Sequence, residues 1–173
     1  MIRKIVIFFL LLPLFGCLTS NYDMTTVFNK DEVSWINDKG SSTITGQAFL
    51  NQKGGGVVTC AGREVSLIPV TVYSTERMKA IFKSDQKGYY GNDTYVYPKI
   101  VFNPSAPTEY FNSKRTTLCN AQGDFKFVDV PANKEYFILT NVSWEVAYEP
   151  QGGSLMIKVK TTENEVTETI LVN

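Results

Sequence analysis

From Ser41 onward the chain alternates apolar and polar residues with the period of a β-strand. "STITGQAFLNQ" places Ile44, Gly46, Ala48 and Leu50 on one face and Thr43, Thr45, Gln47 and Phe49 on the other. "EVSLIPVTVY" sets Val65, Leu67 and Pro69 against Ser66, Ile68 and Val70, so both faces carry apolar side chains. Such a strand belongs near the middle of a sandwich. Pro69 has no N–H to give a ladder, which puts this strand at an edge or at a bulge. The period then changes in "STERMKAIFKSD". Ser74 or Thr75 is a candidate cap, Glu76 suits a first turn, and Met78, Ile81 and Phe82 share one helical face. This predicts one short helix, Thr75 to Lys83.

The following stretch, 86–115, is rich in Gly, Pro, Asn and Tyr. It predicts loops around a strand at Thr94–Val101. The last third returns to β: Thr116–Ala121, Asp124–Val128, Tyr136–Trp144, Leu155–Thr161 and Glu165–Leu171. Turn chemistry separates these runs at Asn120–Gly123, Pro131–Asn133, Gln151–Gly153 and Glu163–Asn164. The whole predicts an all-β protein with one short helix, an antiparallel transthyretin-like or immunoglobulin-like sandwich of about seven strands.

The beginning of the chain follows no such period. Arg3 and Lys4 precede an apolar run, Ile5 to Leu14, broken only by Pro13. It is short for a transmembrane helix and reads as an export signal. It ends in Leu14-Phe15-Gly16-Cys17, which resembles the lipobox of bacterial lipoproteins, with Phe15 bulkier than usual at its position. The resemblance implies a signal peptide over residues 1–16 and a lipid on Cys17. Residues 17–40 then form a polar tether of about 25 Å root-mean-square reach, with Val33, Trp35 and Ile36 as candidates to dock on the body. Residues 41–173 are the sandwich domain. In Gram-negative sorting, Leu18 after the lipidated cysteine, where an aspartate would favour retention at the inner membrane, implies the outer membrane.

Removing residues 1–16 takes Arg3 and Lys4 and no acid, leaving 15 basic against 17 acidic residues. The charges are interspersed, with no basic stripe for nucleic acid. With Cys17 given to lipid, Cys60 and Cys119 remain as an even pair in an oxidising compartment, and a disulfide is the expectation. Two unpaired thiols, one of them functional, is the rival.

At "CNAQGDFKFVDVPANKEYFILT" the chain resembles carboxypeptidase regulatory-like domains. Gly123, Phe125, Phe127, Val130, Pro131 and Tyr136 occupy the places of the family's recurring pattern, and "ITGQAFL" and "GREVSLIP" match its opening hairpin more loosely. The resemblance covers roughly residues 42–172. It implies a transthyretin-like sandwich and no peptidase activity, since that module lacks the metal ligands of its catalytic partner. Phe125 and Phe127 are expected to face one way, and Tyr136 to bury its ring with a wet hydroxyl.

Candidate chemistry is sparse. The chain has no histidine, which removes the commonest base and zinc ligand. Arg63 lies near Cys60, but a thiolate nucleophile would have no imidazole partner. "KGGGVV" precedes a β run rather than a helix and lacks the phosphate-loop pattern, so it reads as a mobile hairpin loop. Asp85, Asn92 and Asp93 fit no calcium-loop spacing. Glu145, Glu149, Asp124 and Asp129 near strand ends read as solvated surface. No metal or cofactor is expected. Tyr89, Tyr90, Tyr95, Tyr97 and Tyr110 crowd into one Gly- and Pro-rich excursion. Exposed, they suit glycan or protein recognition; folded back, they cover the sandwich. The leading reading is a non-catalytic, lipid-anchored envelope protein whose sandwich binds or supports something. Its partners would be the membrane through the lipid, and an envelope protein or a glycan. A second reading is a secretion-machine component, because "PVTVYSTERMKAIF" is similar to the strand-then-helix segment of type VI outer-membrane lipoproteins. A third is a glycan-binding module using the Tyr89–Tyr110 segment.

Overall fold

The computed structural model describes residues 19–92 and 96–173; Cys17 and the signal-peptide expectation lie outside them. In chain order the elements are β1 (Thr19–Asp23), a 3-10 helix (Lys30–Asn37), β2 (Ser42–Asn51), β3 (Val57–Thr59) and β4 (Glu64–Pro69). Helix α1 (Val72–Phe82), β5 (Lys87–Gly91), β6 (Lys99–Asn103) and α2 (Thr108–Asn112) follow. The chain ends with β7 (Arg115–Leu118), β8 (Asp124–Val130), β9 (Glu135–Val146), β10 (Glu149–Lys160) and β11 (Val166–Leu171).

Two sheets face each other. The larger has the order β5-β10-β9-β4-β7 and is antiparallel. In the smaller, β2 pairs with β11 on one side, and with β8 and then β3 on the other. The β2–β11 pair is parallel. Ile44, Ala48 and Leu50 of β2 meet Val65 and Leu67 of β4 and Tyr136, Ile138 and Val142 of β9 in one core. Phe125 and Phe127 both enter it, as their alternation predicts. Tyr136 differs from expectation: its hydroxyl is not wet but donates to the Pro131 carbonyl at 3.0 Å, and burial pushes its pKa up.

The second face of the larger sheet is also dry. Met78 and Phe82 of α1 pack on Phe137 and Met156, with Ile68 and Val70 beside them. That layer explains why β4 carries apolar residues on both faces. Pro69 does not make β4 an edge strand, since β4 runs between β9 and β7. Val70 donates its N–H to the carbonyl of Glu135, the first residue of β9, so the nitrogen of Pro69 faces the other way. There β7 has already ended its pairing, at Leu67 opposite Arg115.

Helix α1 begins at Val72 rather than Thr75. Thr71 is the cap: its hydroxyl accepts from the Ser74 N–H at 3.1 Å, and Ser74 accepts from the Thr71 N–H at 2.8 Å. This reciprocal box satisfies two donors that a helix start leaves orphaned. The strand expected at Thr94–Val101 is β6, shifted to Lys99–Asn103.

The segment expected as a tether is built into the body over its described residues. β1 pairs in parallel with β6, Thr19 opposite Lys99. The Glu76 carboxylate of α1 accepts from the Thr25 N–H at 2.7 Å, its hydroxyl at 2.8 Å and the Thr26 N–H at 2.9 Å, and also from the Thr26 hydroxyl. Phe28 packs edge-on against Tyr73 and Tyr110, each 5.7 Å away. Val33 and Ile36 are buried, and Trp35 lies 5.6 Å from the Tyr136 ring. Arg115 then ties the 3-10 helix down by donating to the carbonyls of Ile36 and Asp38.

Cys60 and Cys119 form a disulfide that links the end of the β2–β3 hairpin to the end of β7, and so one sheet to the other. The bridge closes a loop of 59 residues. Chain-entropy reasoning gives it about 4 kcal/mol. Replacing both cysteines by alanine is expected to lower the free energy of urea unfolding by about that amount. Native protein that reacts with a thiol reagent before reduction would contradict the bridge.

Burial opposes the charged form of Glu76, but the hydrogen bonds from Thr26 and Thr25 outweigh it and lower the pKa from 4.5 to about 2. A depressed acid stabilises the fold fully above its unfolded pKa and loses that contribution as pH falls. Hydrogen-exchange protection of the Thr25 and Thr26 amides should therefore hold above pH 4.5 and collapse as the pH approaches about 2. Glu76→Gln should lack that protection already at neutral pH; unchanged protection in the variant would show that the carboxylate is not the clasp.

Candidate functional site

The β9–β10 hairpin outruns its neighbours. β4 leaves β9 at Thr140 and β5 leaves β10 at Gly153, so the strands project beyond the sandwich up to Val146 and Glu149. Beneath the overhang lies a cleft of about 750 Å³. One wall is Trp144, Val146 and Gln151 of the hairpin, and a second is Tyr89 and Tyr97. The third comes from the β2–β3 turn, Asn51 to Gly54, closed by Asn173.

Glycines let the walls approach. Gly91 stands opposite Gly153 in the β5–β10 ladder. A Cβ on Gly91 would fall 2.5 Å from the Tyr97 ring, and one on Gly153 would fall 2.3 Å from the Tyr90 carbonyl oxygen. Tyr89 donates its hydroxyl to the Gly152 carbonyl at 2.9 Å, which also receives the Asn92 N–H at 2.8 Å. Tyr97 sits edge-on to Tyr89 at 5.8 Å and to Tyr90 at 5.1 Å, while Tyr90 donates to the Pro98 carbonyl. Burial first, and then Tyr97, push the pKa of Tyr89 and Tyr90 up, so both remain neutral phenols. These rings are fixed before any ligand arrives.

The β2–β3 turn is ordered rather than loose. Gln52 donates to the Gly56 carbonyl at 2.8 Å and Gly55 donates back to Gln52 at 2.9 Å. The Asn51 N–H donates to the Asn173 side-chain oxygen at 2.9 Å and the Asn173 side-chain amide donates to the Asn51 carbonyl at 3.3 Å, which pins Asn173 to the rim. Among the described lining residues Lys53 has the one charged side chain. The cleft thus offers flat rings and amides that both donate and accept.

The five expected tyrosines divide. Tyr89, Tyr90 and Tyr97 come together. Tyr110 does not join them: it is buried beneath Phe28 and beside Arg77, whose guanidinium carbon lies 5.1 Å from its ring centre and 3.9 Å from that of Phe102. Burial pushes the Tyr110 pKa up to about 12, against the pull of Arg77. Tyr95 and Asp93 lie outside the described residues. Asp85 pairs with Lys79 at 3.1 Å, and Asn92 donates its amide to Gln151. The carboxylates are scattered: Asp124 binds Asn120, Asp129 lies 3.9 Å from Lys39, and Glu145 and Glu149 stand near the hairpin tip. Among the described residues no group of three or more Cys, Asp or Glu side chains could hold a metal ion.

Sequence reasoning missed Trp144, Asn51 and Gln151. A signal for Trp144 existed, since it continues the inward series Tyr136, Ile138, Val142 one step past the sandwich. A wider groove of about 980 Å³ crosses the outer face of the small sheet along Gln47, Lys126 and Ile170. It has no aromatic platform, because the Phe125 ring that borders it is buried in the core.

Fold and cleft together define a helix-backed β-sandwich with an aromatic- and amide-lined depression at one end. No protein-family model and no curated protein matches the chain. A solved structure of a candidate carbohydrate-binding protein from Pseudomonas aeruginosa is similar, with a TM-score of 0.66 and 21% sequence identity. The match covers 84% of this chain and 97% of that one, and it shows the sandwich fold.

The hairpin wall depends on Gly152, which has φ +95° and no room for a side chain: a Cβ would lie 2.1 Å from the Val142 carbonyl oxygen. Gly152→Ala should lower stability in urea unfolding by more than about 1 kcal/mol. Gly54→Ala, on the opposite rim with open space around its Cβ, should change it little. Equal effects would contradict this account of the wall.

Proposed function

We propose that the chain is a lipid-anchored envelope protein whose β-sandwich binds carbohydrate in the Tyr89–Tyr97–Trp144 cleft, without catalysis of its own. The observation that carries the reading is the lining: three aromatic rings with the amides of Asn51, Gln52 and Gln151 around one depression. Sugar rings present C–H faces that lie on aromatic planes, and hydroxyls that donate and accept as side-chain amides do. Tyr89 is braced by its hydrogen bond to Gly152, and Tyr97 packs edge-on against Tyr89 and Tyr90, which lowers the entropy lost on binding. A hydrolytic site would need an acid and a base at the ligand, and the described lining contains no Asp, Glu or His side chain. The likeness to a candidate carbohydrate-binding protein supports the same class of ligand. The lipobox-like Leu14–Cys17 supports the anchor, and Leu18 supports the outer membrane if the cell is Gram-negative.

Pulldown of the purified protein on peptidoglycan and on lipopolysaccharide tests the ligand class. Trp144→Ala and Tyr97→Ala should each weaken binding by about thirtyfold, the factor for truncating an aromatic anchor worth roughly 2 kcal/mol. Their thermal unfolding should stay close to that of the wild type. A wild type that retains neither polymer, or alanine variants that bind as well as it does, would refute the assignment.

A further inference from the structure

The first described residue already belongs to a strand: Thr19 opens β1 and stands opposite Lys99 of β6. Cys17, the expected site of lipid attachment, is two residues earlier, and two residues of chain reach at most about 7 Å. The body thus starts within a headgroup's depth of its anchor.

The neighbourhood of that start has its own chemistry. Ser20 borders a groove of about 250 Å³ shared with Phe82, Tyr90, Val96 and Ile100. Lys83 ends α1, Lys87 opens β5 and Lys99 opens β6, and all three are exposed. Between residues 79 and 99 the chain carries four lysines against Asp85 and Asp93, and Asp85 is occupied by Lys79 at 3.1 Å. From Cys17 onward the chain as a whole has an excess of acid, so this surface opposes the overall sign. Val96, 64% exposed, adds an apolar point beside the groove. Lys83 lines this groove and Lys99 adjoins it between Pro98 and Ile100; basic residues beside an apolar groove suit an anionic bilayer surface, where each adds about fivefold to the attraction.

We infer that this end of the body, with Lys83, Lys87, Lys99 and Val96 around the head of β1, lies directly on the anionic membrane surface. The inference rests on the lipidation of Cys17 proposed above. Anchor and lysines then act together, the lipid holding the chain at the bilayer and the lysines setting which face of the body meets it. Val96 and Tyr97 border both the groove and the carbohydrate cleft. The cleft consequently opens close to the bilayer and samples glycans within reach of it.

The test uses full-length lipidated protein in vesicles of phosphatidylcholine and phosphatidylglycerol. Lysine acylation is read residue by residue by mass spectrometry. Labelling of Lys83, Lys87 and Lys99 should fall about fivefold relative to Lys114, which precedes β7 at the far edge of the larger sheet, four strand spacings or roughly 19 Å from β5, and relative to Lys126 on β8 of the smaller sheet. A long Gly-Ser linker between Leu18 and Thr19, assayed on phosphatidylcholine alone, should abolish the difference. Even labelling on vesicle-bound wild type overturns the docking face while leaving the anchor intact. Protection that grows with protein density at constant lipid also overturns it, by identifying a second copy as the occupant. Wild type that does not stay with the vesicles, or a Cys17→Ser chain that still fractionates with membranes, overturns the anchor and this inference together.

Discussion

From Tyr136 to Val142 strand β9 is covered on both faces, and the architecture follows from that constraint. Tyr136, Ile138 and Val142 point one way and Phe137 and Leu139 the other, with Tyr136, Phe137 and Ile138 wholly buried. A strand of this kind needs cover on both sides. The small sheet supplies one cover and α1 the other. Because α1 must return over β9 directly after β4, the chain turns at Pro69–Thr71 and starts its helix at once, under the Thr71–Ser74 box. The order of elements is thus the shortest way to dry both faces.

The parts legible in the sequence were those whose side chains alternate against a single core. β2, β8 and β9 showed themselves because Ile44, Phe125 and Tyr136 repeat with period two toward one interior. Val72 and Tyr73 misled: β-branched and aromatic residues read as strand, yet they form the first turn of α1, where the cap and the sheet beneath override propensity. β1, β3, β5 and β6 have three to five residues each, too few to set a period. Their placement comes from partners far along the chain, as when Thr19 meets Lys99. The strap over α1 was invisible for the same reason. Nothing local shows that Thr25 and Thr26 will find Glu76, fifty residues on.

The cleft was half legible. Tyrosine crowding marked Tyr89 and Tyr97 but also Tyr110, because composition does not tell a ring that lines a cleft from one that covers an arginine. Arg77 explains the difference. It lies nine-tenths buried on α1, and its Nη1 has no hydrogen-bond partner among the described residues. Phe102, Tyr110 and Tyr73 surround the guanidinium with π-faces instead. Tyr110 therefore serves the packing of the N-terminal strap.

The strap and the cleft are not independent parts of the molecule. β1 holds β6 in place, β6 fixes the exit of the loop through Val96 to Pro98, and that loop presents Tyr97 to the cleft. Tyr97 in turn leans on Tyr89 and Tyr90, whose strand β5 is pinned to β10 by the Gly91–Gly153 contact. A chain that hung from a loose leader would leave β6 unpaired and the Tyr97 wall unsupported. Binding the leader into the body costs the molecule its reach. In return it gives a short, stiff path from the head of β1 to the rings of the cleft, so that whatever fixes the first strand also fixes the site.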